Sequence, residues 1–392
     1  MNSFQVTAGL ERLLAGEAPH LQSLSIGLIL HPASVTSGLQ LSVDALLKEK
    51  YKVQALFGPQ HGARGEKQDN MIESAHYADP FTGLTVHSLY SEVRKPTPEM
   101  LEGLDALVFD LQDVGVRVYT FIWTMLLAME ACAEAGLRFI VLDRPNPIGG
   151  VQREGAVLRE NFESFVGLHA IPLRHGMTCG ELAIWMNAVR GIGCDLEVIE
   201  CRGWSRSMRW SDTRLPWVAP SPNLPTPGSC LVYPGMVLLE GTNLSEGRGT
   251  TKPFEYFGAP YLNVKDLMDF LAEELLEGVT IRPCHFQPTF QKYAGVICAG
   301  GQLHITDPDT FHPVRTAVAI LRAVRALAPQ EFRWSSPPYE YEENLMPIDL
   351  IWGHDGLRHS IDRGATVDEA LEGVREDLDA FSESAESSLI YE

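Results

Sequence analysis

The chain predicts an α/β protein in two parts: a parallel-sheet domain over residues 1–205 and an α+β domain over 206–392, with a ligand site in the cleft between them. Three observations lead there. Short apolar runs alternate with helically spaced segments through the first half, the pattern of βαβ units. From about residue 205, Pro216, Pro220, Pro222, Pro225, Pro227 and Pro234 crowd a segment that reads as long and irregular, too rich in proline for regular helix or central strand. Each apolar run of the first half stops at polar, ionisable residues, and in open parallel sheets ligands bind beyond the carboxyl ends of the strands.

The predicted strands are 25–30, 52–57, 85–90, 106–111, 138–142 and 196–200, with helices over 43–50, 98–103, 120–135 and 180–189 between them. Glu181, three residues after Thr178, reads as the partner in a helix cap. Beyond the prolines come helices at 264–276, 313–327 and 366–381 and a strand-like run at 295–305.

Composition bounds the function. At 392 residues, two cores are expected. A net charge of -20 opposes nucleic acid and anionic membranes as partners, because phosphate is held by Lys and Arg. No apolar run reaches the ~20 residues of a membrane helix. The seven scattered cysteines form no Cys-x-x-Cys pair, and residues 1–12 lack the basic start and apolar core of a secretory signal. A cytoplasmic protein with reduced thiols is the expectation.

The strand ends carry the chemistry. Phe57-Gly58-Pro59-Gln60-His61-Gly62-Ala63-Arg64-Gly65 joins a strand end to a turn that presents an amide, an imidazole and a cation. His31 follows the first strand, Glu92 and Arg94 the third, Asp113, Arg117 and Tyr119 the fourth, and Asp143-Arg144-Pro145-Asn146 the fifth. Asp110 lies within the fourth run. Further along stand Arg174-His175, Ser221-Pro222-Asn223 and Asn243-Leu244-Ser245-Glu246-Gly247-Arg248. Asp110 and Asp143 have structural alternatives as a turn cap or an arginine partner. Glu246, followed by Gly247, Arg248 and Gly249, has less structural excuse.

A Rossmann-like sheet does not bring a nucleotide here, since His31-Pro32-Ala33 is no glycine-rich phosphate turn and no P-loop occurs. There is no Gly-x-Ser-x-Gly elbow either. His31, His61 and His175 with Asp113 could form a metal site but lack the local spacing of metal ligands, so a metal-dependent hydrolase is the lesser alternative and no metal or other cofactor is expected. Carboxylates, arginines, amides and aromatics together suit a sugar, whose hydroxyls are read by polar groups and whose carboxylate, if any, by arginine.

These strings occur together and in one order. With Lys95-Pro96-Thr97, Phe109-Asp110-Leu111-Gln112-Asp113-Val114-Gly115-Val116-Arg117 and Glu240-Gly241-Thr242-Asn243, they make the sequence resemble the NamZ-like exo-β-N-acetylmuramidases, the DUF1343 family, across nearly the whole chain. The resemblance implies a glycosidase that removes N-acetylmuramic acid from the non-reducing end of peptidoglycan fragments. On that footing Arg64, Arg117, Arg144 and Arg248 are candidates for the lactyl carboxylate. Asn146 and Asn223 would meet hydroxyls or the N-acetyl group, with Glu92, Asp110, His175 and Asn243 also binding substrate. Proton transfer falls to His61, Asp113, Asp143 or Glu246, and Tyr119 would stabilise or attack the anomeric carbon.

The family commonly has Pro-Glu-His-Gly where this chain reads Pro59-Gln60-His61-Gly62, and a glutamine amide cannot exchange a proton at useful pH. Either another carboxylate acts, from Glu66, Asp69, Glu92, Asp113 and Glu246, or the specificity differs, or the protein binds sugar without cleaving it. The expected partner is a muropeptide or amino-sugar glycoside.

Overall fold

The computed structural model describes residues 5–65 and 76–392. Glu66 and Asp69 lie outside them. Strands β1 (Ser25–Leu30), β2 (Lys52–Gly58), β3 (Tyr77–Ala78), β4 (Thr85–Ser88), β5 (Ala106–Asp110) and β6 (Arg138–Leu142) come first in the chain. A two-stranded hairpin, β7 (Glu154–Val157) and β8 (Pro172–Arg174), precedes β9 (Asp195–Ile199). The main sheet has the order β3-β4-β2-β1-β5-β6-β9, parallel throughout except for β3. Its strand order reverses between β1 and β5, so that crevice is where the parallel-sheet rule looks for a ligand.

The strands are apolar at nearly every position because both faces are covered. Leu28, Leu56, Val108 and Ile140 point into one core, whereas their neighbours Ile29, Phe57, Phe109 and Phe139 point into another. The second core does not stop at the sheet. It runs through the helix Phe121–Ala135 and on to Val237, Phe257 and Val318 in the second half of the chain. The two halves therefore share buried surface.

The second half holds an antiparallel sheet of β10 (Tyr256–Ala259), β11 (Val279–Phe286) and β12 (Cys298–Ile305), in the order β10-β12-β11. The helix Pro313–Leu327 falls where its spacing predicts. The stretch predicted as one helix over 366–381 is two, Val367–Ala370 and Val374–Ala385, broken at Gly373 with φ 79°.

The proline-rich segment departs from the expectation of irregular chain, because Pro227–Met236 is a helix. Pro227 occupies its first turn, where a missing N–H costs nothing, and Thr226 caps it. Pro234 lies in its last turn, close enough to the end to be tolerated. This helix crosses Pro313–Leu327 so closely that a Cβ on Gly235 would stand 1.9 Å from the Pro313 carbonyl oxygen.

Arg117 fastens the halves. It is fully buried, and it donates through Nη1 to the carbonyl oxygens of Ala156 (2.7 Å) and Ile171 (2.9 Å) and through Nη2 to that of Ile351 (2.7 Å). Burial lowers its pKa to about 9. Arg117 is expected from the sequence to bind sugar, but both of its Nη atoms are engaged by backbone carbonyls and it has no exposed surface. Arg117→Met should leave those carbonyls without their strongest donor and cost about 2–4 kcal/mol, read as an earlier midpoint in urea unfolding.

Candidate active site

The turn after β2 folds as its glycines suggest. Gly62 donates to the Pro59 carbonyl (2.9 Å), Gly65 to that of Gly62 (3.1 Å), and His61 itself takes φ 72°. A non-glycine residue in this left-handed region is uncommon and strained. The turn delivers Gln60 and His61 to a narrow, largely enclosed pocket of about 30 Å3. The segment after β5 adds Tyr119 and Thr120, and the second half of the chain contributes Ser221, Tyr233, Glu240, Arg248, Phe254, Tyr339 and Glu340.

Four of the residues singled out from sequence thus meet in one place: Gln60, His61, Tyr119 and Arg248. His61 Nε2 lies 3.4 Å from Ser221 Oγ. The Tyr119 ring, expected to stabilise or attack the anomeric carbon, lines the pocket, and its hydroxyl donates to the Pro220 carbonyl (2.6 Å). Arg248 is 6% exposed and pairs with Glu240 (Nη2, 2.6 Å) and Glu246 (Nε, 3.4 Å). Its Nη1 has no hydrogen-bond partner among the described residues.

Gln60 is not idle. Its Oε1 accepts from Thr120 Oγ1 (2.6 Å), while its Nε2 donates to Tyr90 Oη (3.1 Å). Tyr90 Oη in turn donates to Glu340 Oε2 (2.8 Å), 250 residues away in sequence. The amide therefore fixes the phenol that holds a carboxyl group.

Glu340 is the residue that sequence reasoning missed. It is 3% exposed, and burial pushes its pKa up to about 7, with Tyr90 pulling down and the neighbouring Glu240 pushing up. It sits at the tip of a two-residue turn in which Tyr339 and Glu342 exchange backbone hydrogen bonds at 2.9 Å, with φ 45° at Glu340 and 71° at Tyr341. Two side chains other than glycine at positive φ store strain of about 1–3 kcal/mol each. Glu240, also missed, accepts from Tyr339 Oη (2.8 Å) as well as from Arg248. The available signal was a glutamate between tyrosines just after Pro337-Pro338, and a second glutamate opening the Glu240-Gly241-Thr242-Asn243 string.

Several other candidates have partners inside the protein, although Asp110 Oδ2 and Asp113 Oδ1 have no hydrogen-bond partner among the described residues. Asp143 accepts from Thr178 Oγ1 (2.7 Å), the Gly180 amide (2.8 Å) and Tyr391 Oη (2.6 Å) at the start of the helix Cys179–Val189. Burial raises its pKa to about 6. The Thr178–Glu181 capping box predicted for that helix is present. At the switch crevice itself, Arg144 Nε pairs with Asp110 (2.7 Å) and its other nitrogens reach the Val35 carbonyl, which closes the place where a Rossmann-like ligand would lie.

Arg64 grips Asp79 with two bonds of 2.9 and 2.8 Å. Asn146 braces its own loop through the Met177 carbonyl and the Ile148 amide. Asn243 is tied to Glu331, Tyr261 and Arg333. Glu246 is buried beneath Lys292 (2.9 Å) and Arg248, so it orients Arg248 rather than facing the pocket; those cations hold its pKa low against burial.

Asp113 accepts from the Gly115 amide (2.6 Å) and lies 3.3 Å from His175 Nε2. His175 accepts the Met177 amide on its other nitrogen (3.2 Å) and has no exposed surface, so it cannot meet a substrate from the cleft. Asn223, beside the pocket residues Ser221 and Leu224, has an Nδ2 without a partner among the described residues. Glu92 lines a neighbouring open cleft. Among the described residues no three His, Cys, Asp or Glu side chains are grouped to hold a metal ion.

The arrangement can hold one proton on Glu340 near neutrality while Glu240 stays paired with a cation across the same pocket. Two carboxyl groups in unlike surroundings are the usual outfit for acid-assisted cleavage of a glycosidic bond.

Solved DUF1343 proteins share this fold. One from Bacteroides fragilis NCTC 9343 superposes with a TM-score of 0.89 at 35% identity, and a second from the same organism with 0.78 at 29%, each covering 99% of both chains. Residues 26–228 match the family described as exo-beta-N-acetylmuramidase NamZ, N-terminal, and residues 231–391 its C-terminal counterpart. This chain belongs to the NamZ family. The peptidoglycan beta-N-acetylmuramidase NamZ of Bacillus subtilis (strain 168) is 45% identical over 388 residues, 99% of this chain and 92% of that protein.

Tyr90→Phe removes the hydrogen bond that favours ionised Glu340. The carboxyl pKa should then rise above about 7, and the alkaline limb of the pH–activity profile should move to higher pH.

Proposed function

We propose that this chain is an exo-β-N-acetylmuramidase that releases a non-reducing-end N-acetylmuramic acid from peptidoglycan-derived fragments. The observation that carries the reading is Glu340: a buried carboxyl group with its pKa raised to about 7, facing the ion-paired Glu240 in one pocket. As general acid, Glu340 donates its proton to the glycosidic oxygen as the bond to the anomeric carbon breaks. Glu240 supplies the negative charge that favours the oxocarbenium-like transition state.

Arg248 is the cation for the lactyl carboxylate, since Arg64, Arg117 and Arg144 are committed elsewhere and Arg248 Nη1 has no partner among the described residues. Asn223 Nδ2 is the donor for a hydroxyl or the N-acetyl oxygen. Gln60 does not argue against hydrolysis, because it positions Tyr90, and through Tyr90 the acid.

Work inside the cell, on fragments recovered from the wall, fits the seven free thiols. No helix among the described residues is long and apolar enough to cross a membrane.

Glu340→Gln keeps the shape of the pocket and removes its proton. Hydrolysis of MurNAc-GlcNAc should fall by about 10²–10⁴, whereas a muramide with a dinitrophenolate leaving group, which needs no proton, should lose far less. Equal losses on both substrates would remove Glu340 from the role of acid. In the wild type, activity on the disaccharide should decline as pH rises through about 7, because the protonated form is the active one.

A further inference from the structure

Arg248 faces more negative charge than it carries. Glu240 lies 2.6 Å from its Nη2 and Glu246 3.4 Å from its Nε, with those carboxyl side chains 10% and 2% exposed. One guanidinium between two carboxylates is a negative cluster, and a further carboxylate would be repelled from it. At about 30 Å3 the pocket that Arg248 lines has room for a group of about three heavy atoms, such as a carboxylate, and not for a ring. Lys292 restores the balance from outside that pocket. It stands on the connection between β11 and β12, and its ammonium donates to Glu246 Oε2 and to the carbonyl oxygens of Leu239 and Leu244, each at 2.9 Å. All three N–H groups of the lysine are thereby used. The residues on either side of it, Gln291 and Tyr293, take φ 62° and 58°. Such backbone at side chains other than glycine persists only where its surroundings over-determine it. Thr289 is part of that hold: its amide and its hydroxyl both donate to the Gly249 carbonyl (2.9 Å each). The connection therefore grips the chain on both sides of Arg248, at Glu246 and at Gly249.

We propose that Lys292 is a positioning residue that sets the preference for an acidic sugar: it neutralises Glu246 and so leaves Arg248 able to take a carboxylate from the substrate. The inference rests on the reading of Arg248 as the cation for the lactyl group. Lys292 does not line the pocket and acts through Glu246. With it, the cluster of Arg248, Lys292, Glu240 and Glu246 is neutral; without it, the cluster is negative. Its effect falls on ligands that bring a negative charge to Arg248 and spares neutral ones of the same shape.

The test uses 4-nitrophenyl N-acetyl-β-muramide and the same glycoside with its lactyl carboxylate replaced by the carboxamide, which keeps the shape and removes the charge. The quantity read is the ratio of kcat/KM for acid over amide. Lys292→Met should lower the ratio about tenfold. Lys292→Met combined with Glu246→Gln removes both charges and should bring the ratio back to within about threefold of wild type. Glu246→Gln alone leaves the lysine charge in excess and should raise the ratio about threefold. A lysine that only supports the fold would lower both substrates together and leave the ratio where it was. A ratio within about twofold of wild type in Lys292→Met, or one that stays low in the double variant, would overturn the proposal. Should Lys292→Met fail to fold, Glu246→Gln decides alone, and a ratio that does not rise overturns it. A wild-type protein with no preference for the acid would instead overturn the assignment of the lactyl carboxylate to Arg248, and the proposal with it.

Discussion

The hydrogen bond from Tyr90 to Glu340 is the contact on which the pocket depends. Tyr90 follows the edge of the parallel sheet, and Glu340 stands on a strained turn near the other end of the chain. The bond has three consequences. It ties the two halves across the cleft, it gives a buried carboxyl group the partner that burial demands, and it links the turn after β2 to that carboxyl group through Gln60. A left-handed Glu340–Tyr341 turn without such a hold would relax. With Tyr90 on one side, the Tyr339–Glu240 bond on the other and Arg94 against Tyr341, the turn is over-determined.

The pocket also depends on what its surroundings keep for themselves. In a protein with 51 acidic and 31 basic side chains, cations are scarce, and the fold commits three of the four arginines proposed for substrate to internal partners. Asp79 takes Arg64, backbone carbonyls take Arg117, and Asp110 with Val35 takes Arg144. Arg248 differs because it is held between Glu240 and Glu246, which leaves Nη1 without a partner among the described residues. A pre-oriented guanidinium with one open donor loses little entropy when it meets a carboxylate.

Much of the fold was legible. Strands β1 and β6 and the helices Phe121–Ala135 and Pro313–Leu327 fall on or within one residue of their predicted limits, because long apolar patterns bounded by polar residues leave few alternatives. The proline-rich segment misled, since proline disrupts a helix interior but not its first turn. The sheet in the second half was glimpsed only at 295–305. β11 is largely exposed, with Arg282, Pro283 and His285 in its run, so it lacks the apolar signature that marks a buried strand.

The sequence by itself determined the family, the parallel sheet, and the turn at Gln60–His61 as one wall of the site. Those properties are local or collective: backbone freedom at glycine, apolar periodicity, and several unusual strings in fixed order. Tertiary structure alone decided which polar residues are free to meet a ligand. Asp143 and Glu340 are both buried carboxyl groups with raised pKa, yet one is ringed by a helix start and Tyr391 while the other faces an enclosed pocket. That difference arises from partners up to 250 residues distant in the chain, and residue type and spacing carry no record of such partners.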